Sequence, residues 1–157
     1  MKEVKYEQLD SAQRKTLDSA TAAMEHAYSP YSHFKVGAAL LAHDGTVIPG
    51  ANYENAAYGN TVCAERVAQF SANTLGYRVF DKLAVIGRGE TFDTPEVVAP
   101  CGTCRQNLNE LYQVSGKPLE IIMSNSKRTK IVIASIDELL PMAFGPKDLR
   151  IDVSTLR

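Results

Sequence analysis

All three cysteines of this 157-residue chain fall in two short segments, and nothing else in the sequence restricts the fold so strongly. The first segment is Thr61-Val62-Cys63-Ala64-Glu65-Arg66. The second is Pro100-Cys101-Gly102-Thr103-Cys104-Arg105-Gln106. An odd cysteine count with one Cys-x-x-Cys pair argues against a disulfide scaffold and for an intracellular metal site. Three thiolates are one short of a structural zinc site. A catalytic zinc takes three protein ligands and leaves the fourth position to water, where an activated hydroxide forms. The fold therefore has to carry Cys63 to Cys101 and Cys104.

Spacing sharpens this. Cys101 and Cys104 stand one helical turn apart, so both can face one ion. Pro100 before them and the helix-forming run Gln106 to Val114 after them mark a helix start. Cys63 opens a second helix, predicted from about Val62 to Leu75. The N-terminal end of a helix is electropositive and favours the thiolate form. Glu65, two residues past Cys63, lies beside such a metal and not in line with its ligand, the place for a proton shuttle. Zinc with three thiolates and a hydroxide carries about two net negative charges by formal count, which calls for a cation nearby. Arg66 and Arg105 are the local candidates for hydrogen bonds to the sulfurs.

The rest of the chain predicts a scaffold for that site. Asp10 to Tyr28 is an amphipathic helix capped by Asp10 or Ser11, with Leu17, Ala20, Met24 and Ala27 on one face. Phe34 to Ala42 and Thr46 to Asn52 form a hairpin around Asp44-Gly45. Phe80 to Gly87 is a continuous apolar strand. A polar loop, Arg88 to Ala99, delivers Pro100. Leu119 to Ser124 and Thr129 to Ser135 are two more strands, followed by a helical turn at Ile136 to Leu140. Phe70 and Leu75 are expected in the core. This order predicts an α/β fold, a three-layer α-β-α arrangement around a mixed five-stranded sheet, in a single domain over residues 1–157.

Composition bounds the partners. The net charge is −1, and the only basic cluster is Lys127-Arg128 with Lys130, expected as a solvated turn. No apolar run approaches the ~20 residues of a membrane span. The charged start Met1-Lys2-Glu3-Val4-Lys5 has no hydrophobic segment behind it, so a cytoplasmic protein is expected.

Cys-x-Glu followed by Pro-Cys-x-x-Cys resembles the zinc-dependent cytidine deaminase family. The resemblance runs from about Tyr28 to Leu149. Ser29-Pro30-Tyr31-Ser32-His33-Phe34-Lys35-Val36-Gly37-Ala38-Ala39-Leu40 is similar to the family's first-strand motif. Asn52-Tyr53-Glu54-Asn55-Ala56-Ala57-Tyr58-Gly59 is similar to its nucleoside-binding loop. Leu139-Leu140-Pro141 to Phe144, then Asp148-Leu149, is similar to its C-terminal signature. Length and a single zinc motif resemble the small homotetrameric branch.

That resemblance implies one zinc ion per chain, held by Cys63, Cys101 and Cys104, with Glu65 as the catalytic proton shuttle. It implies that Asn52 and Glu54 hold the ribose hydroxyls, that the Ala64 backbone bonds the pyrimidine edge, and that Phe34 packs on the nucleoside. Tyr58 and Phe144 would reach the site from neighbouring subunits. Arg66 would neutralise the thiolates and Gln106 would support them. The implied reaction is hydrolysis of cytidine and 2'-deoxycytidine to the uridine nucleosides and ammonia, by hydroxide attack on C4, in pyrimidine salvage. The implied partner is a small nucleoside, with neither nucleic acid nor membrane. Three departures stand out: Ala51 before the loop, the bulky Tyr53 within it, and a rather long Arg88 to Ala99 segment. The last two leave room for a modified cytosine nucleoside.

Three other readings compete. A structural zinc module closed by His33 leaves Glu65 without a purpose. A thiol redox pair leaves Cys63 unexplained. A deaminase of bases within RNA or DNA calls for a histidine at position 63 and a basic surface, and the sequence has neither.

Overall fold

A computed structural model describes residues 1–156. Its first helix forms where the sequence supplies a cap. This helix, α1 (Ser11–Met24), begins at Asp10, whose side chain accepts a hydrogen bond from the Gln13 N–H while the Gln13 side chain accepts one from the Asp10 N–H. It stops four residues before the predicted end, where the Glu25, His26 and Ala27 N–H groups turn to the carbonyls three residues back, at Ala22, Ala23 and Met24. The hairpin follows as β2 (Phe34–Ala42) and β3 (Val47–Ala51), with Gly45 at φ 90° in its turn. Then come α2 (Ala64–Thr74), β4 (Phe80–Gly89), α3 (Gly102–Ser115), β5 (Glu120–Ser124), β6 (Ile131–Ser135) and the short α4 (Ile136–Leu139).

The sheet has six strands, not the expected five, in the order β1-β6-β5-β4-β2-β3. The additional strand, β1 (Lys2–Val4), pairs antiparallel with β6. Only three residues long and mostly exposed, it buries only Val4, so no apolar alternation announces it. β4 and β5 are parallel, and every other neighbouring pair is antiparallel. The parallel pair needs a crossover, which α3 supplies.

Helices cover both faces. On one, α1 packs Leu17, Ala20 and Met24 on Ala39, Ala84, Ile86, Ile122 and Ile131. On the other, α2 and α3 place Ala64, Ala68, Ala72, Leu108 and Leu111 on Ala38, Leu40, Leu83, Val85 and Ile121. The α2 stripe is alanine because this helix lies close to the sheet. At Gly50 of β3, a Cβ would fall 2.4 Å from the Ala64 carbonyl oxygen. Phe70 and Leu75 are not core as expected: they face outward from α2, 49 % and 65 % exposed. Among the described residues no helix is long and apolar enough to cross a membrane.

Candidate active site

Two helix starts meet on one face of the sheet. Cys63 is the residue that caps α2, and Cys101 the one that caps α3. Both have extended backbone, and neither side chain bonds its own helix. The sulfurs are thus free to point away from the helices while the unpaired N–H groups of each first turn lie behind them. Cys104, one turn into α3, is fully buried. The three sulfurs lie within 4.8 Å of one another, and Cys63 Sγ is 4.0 Å from Cys101 Sγ. A tetrahedral zinc with sulfur at about 2.3 Å holds its sulfurs about 3.8 Å apart, so the donor set and its spacing fit that ion.

The protonation pattern fits as well. Hydrogen bonding from Cys104 brings the Cys63 thiol down to about 5, with help from Arg66 and Cys101 and against burial. Cys104 is pushed up by its bond to Cys63, by burial and by the Glu65 charge. Within this pair the thiolate is favoured at Cys63, while Cys104 holds its proton until a cation displaces it.

Glu65 sits in the first turn of α2 and is only 4 % exposed. Burial, aided by the Cys63 charge, pushes its carboxyl up to about 7 against the opposing Cys104 hydrogen bond. A carboxyl poised there can take and give a proton at neutral pH. Arg66 donates from Nη2 to the Thr61 carbonyl at 3.1 Å and to Cys63 Sγ at 3.9 Å. Arg105 does not reach the sulfurs. Its Nε donates to the Pro100 carbonyl at 2.8 Å and its Nη1 to the Leu139 carbonyl at 2.9 Å. It fixes the turn before Cys101 instead of its charge.

A cleft of about 370 Å³ is lined by Tyr31, Ser32, Glu54, Tyr58 and Thr61, and Thr61 stands two residues before Cys63 in the chain. Glu54 is buried, and its Oε2 accepts the Tyr31 N–H at 2.9 Å and the Ser32 N–H at 3.2 Å. Burial raises its pKa, but the Ser32 and Tyr31 hydrogen bonds outweigh it and hold the carboxyl below the ordinary range. Asn52 ties Phe34 in place: Oδ1 accepts the Val36 N–H at 2.8 Å and Nδ2 donates to the Phe34 carbonyl at 3.0 Å. One N–H and one lone pair of that amide remain for a ligand. Ala64 is fully buried and opens α2, so its N–H is one the helix itself leaves without a carbonyl.

Other predicted residues lie outward. Tyr58 is 73 % and Phe144 59 % exposed. Gln106 turns away from the sulfurs: its Nε2 donates to the Phe144 carbonyl at 2.9 Å. Asn109, which sequence reasoning did not single out, donates to that same carbonyl at 3.1 Å. Its signal was available, since an amide three residues after Gln106 on a helix shares its face. The bulk of Tyr53 is absorbed outside the cleft by stacking on Tyr28 at 5.0 Å. His33 Nδ1 lies 3.1 Å from a Glu90 carboxylate oxygen, and the ring does not join the sulfurs. The basic cluster is neutralised residue by residue: Lys127 by Asp93, Arg128 by Asp18 and Lys130 by Glu96, at 2.8, 2.7 and 2.6 Å.

A mixed α-β-α sandwich that joins a three-cysteine metal site to a buried carboxyl defines a metal-dependent hydrolase class. Comparison narrows it. Residues 10–115 match the family of the cytidine and deoxycytidylate deaminase zinc-binding region, and the chain belongs to that family. It is 44 % identical over 135 residues to a cytidine deaminase of Sporosarcina psychrophila, covering 86 % of this chain and 93 % of that one. The crystal structure of a cytidine deaminase from Burkholderia pseudomallei is 45 % identical and superposes with a TM-score of 0.74 over 83 % of this chain and 97 % of that one. That from Mycobacterium tuberculosis is 35 % identical, with a TM-score of 0.68 over 87 % and 99 %.

Proposed function

We propose that the chain hydrolyses cytidine and 2'-deoxycytidine to uridine and 2'-deoxyuridine, one water in and one ammonia out. The observation that carries this is the placement of buried Glu65 beside three sulfurs spaced for one zinc ion. Zinc held by Cys63, Cys101 and Cys104 supplies Lewis acidity that brings the pKa of a water to about 7. Glu65 accepts one proton of that water and hands it to N3 as the hydroxide oxygen bonds to C4. It then takes the remaining hydroxyl proton from the C4 adduct and passes it to the amino group, which leaves as ammonia as the C4 carbonyl forms. One carboxyl can serve as base and then acid because its pKa lies near neutrality. Arg66 offsets the sulfur charge. The Ala64 N–H donates to the pyrimidine carbonyl, Phe34 packs against the nucleoside, and Asn52 and Glu54 hold the ribose hydroxyls. Gln106 acts at one remove, by holding the Phe144 backbone.

The same reading makes the protein a single-domain, cytoplasmic homotetramer acting in pyrimidine salvage. Exposed apolar side chains support the assembly, among them Phe70, Leu75, Met142 and Phe144. Tyr58 and Phe144 enter neighbouring sites in it. Unpaired thiols support a reducing compartment.

The test is direct. Zinc-loaded protein mixed with cytidine should consume the cytosine absorbance and release ammonia in equal amounts, and removal of zinc by a chelator should stop both. No conversion by fully loaded protein would sink the proposal.

Glu54 allows a finer check. Its lowered pKa keeps it ionised through neutrality, so its grip on the ribose is lost only as pH falls through that depressed value. The KM for cytidine should stay flat from neutrality down through the ordinary carboxylate value of 4.5 and rise only below it. Glu54→Gln should raise KM by about tenfold to a hundredfold, the range for hydrogen bonds to a charged group.

A further inference from the structure

β4 ends in Gly87-Arg88-Gly89, which puts its two final glycines on one face of the strand. Leu83 and Val85 share that face, the one that α2 and α3 cover further along. Two phenyl rings lie side by side over this glycine floor. Phe34, the cross-strand partner of Gly89, leans diagonally over Gly87, where a Cβ would fall 3.1 Å from its Cε1. Over Gly89 lies Phe92, folded back from the long segment between β4 and α3. A Cβ at Gly89 would fall 2.2 Å from Phe92 Cε1 and 2.4 Å from Cδ1. The ring centroids of Phe34 and Phe92 are 6.2 Å apart with planes at 40°. Phe92 thus takes the cross-strand position that a side chain at residue 89 would otherwise fill, an aromatic rescue of a glycine.

The backbone holds Phe92 there from both sides. Before it, the Glu90 N–H donates to the His33 carbonyl at 2.9 Å, and the Glu90 carboxylate pairs with the His33 ring. After it, the Thr94 hydroxyl donates to the Gly87 carbonyl at 3.0 Å, and the Thr94 N–H donates to the Ser126 hydroxyl at 3.1 Å. Asp93 accepts from the Ser126 hydroxyl and pairs with Lys127. A phenyl ring left 60 % exposed on so firmly tied a loop is not there to fill the core.

We infer that Phe92 is a positioning residue for the nucleoside site: seated over Gly89, it fixes the Phe34 ring as the apolar wall on which the substrate packs. The inference rests on the deaminase reading. Phe92 offers no polar group, so it does not separate ribose from deoxyribose. It acts on binding and leaves the proton transfers of Glu65 alone.

Steady-state kinetics of zinc-loaded variants tests this. Phe92→Ala should raise KM for cytidine and 2'-deoxycytidine by the same factor, about tenfold, with kcat within about twofold. Zinc content and melting temperature should be unchanged. Phe92→Leu should recover part of the loss, and it carries the test if the alanine variant folds poorly. Gly89→Ala should displace the ring and reproduce the Phe92→Ala profile. The double variant should be no worse than Phe92→Ala alone, because removing the ring leaves room for the new Cβ. Unchanged KM in Phe92→Ala, additive effects of the two substitutions, or a loss confined to kcat would each overturn the inference. A wild-type protein inert toward cytidine would instead overturn the proposed function.

Discussion

Glu65→Gln should cost about 10⁴-fold or more in kcat while the protein keeps its zinc. General acid–base groups are each worth about 10²- to 10⁴-fold, and in the proposed mechanism one carboxyl carries every proton transfer. The amide keeps the shape of the side chain but can neither accept nor release a proton near neutrality. Rapid-quench turnover with metal analysis checks both halves, and activity within about tenfold of wild type at full zinc content would remove Glu65 from the role. A second effect follows in the metal-free protein. Folding raises the Glu65 pKa from 4.5 to about 7. A raised carboxyl contributes stability below about pH 4.5 and loses it as pH climbs toward 7, because the unfolded chain releases its proton first. The loss amounts to about 3 kcal/mol at about 1.4 kcal/mol per pH unit. Metal-free Glu65→Gln should therefore be the more stable protein above about pH 7, with the difference closing toward about pH 4.5. Thermal melts across that window read the sign directly.

The residues that act through type and spacing were readable from the chain itself. Cys63, Cys101 and Cys104 had no other pairing that used all three, and Glu65 had a definite offset from one of them. The helix starts were readable too, because Pro100 and the caps are local signals. Contacts between distant segments were not. Nothing in Gln106 says that its amide will hold the carbonyl of Phe144, or in Arg105 that it will bind Pro100 and Leu139 instead of sulfur. A long side chain has several partners within reach, and the fold decides among them. Phe70 shows the same limit from the apolar side, since an aromatic at helical spacing reads as core until the helix is laid down. The length of the segment before Pro100 was visible. That it returns a phenyl ring to a glycine on the preceding strand depends on the β2–β4 register, which no local pattern encodes.

Gly50→Ala should disable the site from the other side of α2 without touching any chemical group. Gly50 lies on β3 opposite Ala38, directly beneath the helix. A Cβ there would stand 2.4 Å from both the Ala64 carbonyl oxygen and the Ala68 nitrogen, and 3.0 Å from the Ala68 Cα. All three are backbone atoms, which cannot step aside as the tip of a flexible side chain can, so α2 has to lift or tilt. Overpacking of this kind costs about 1–3 kcal/mol. In a chain of this size that lowers the melting temperature by roughly 3–10 °C. The helix that moves begins directly after Cys63 and carries Glu65, while Cys101 and Cys104 remain on α3. A lift of about 1 Å therefore opens the 4.0 Å gap between Cys63 and Cys101 and misplaces the carboxyl, a displacement worth about 10²-fold in turnover. Zinc affinity, melting temperature and kcat should fall together. Gly59→Ala, where a Cβ meets nothing within 4 Å, should leave stability within about 0.5 kcal/mol. Should Gly50→Ala melt like wild type and hold zinc as tightly, the close seating of α2 on β3 would not be what brings the two halves of the metal site into register.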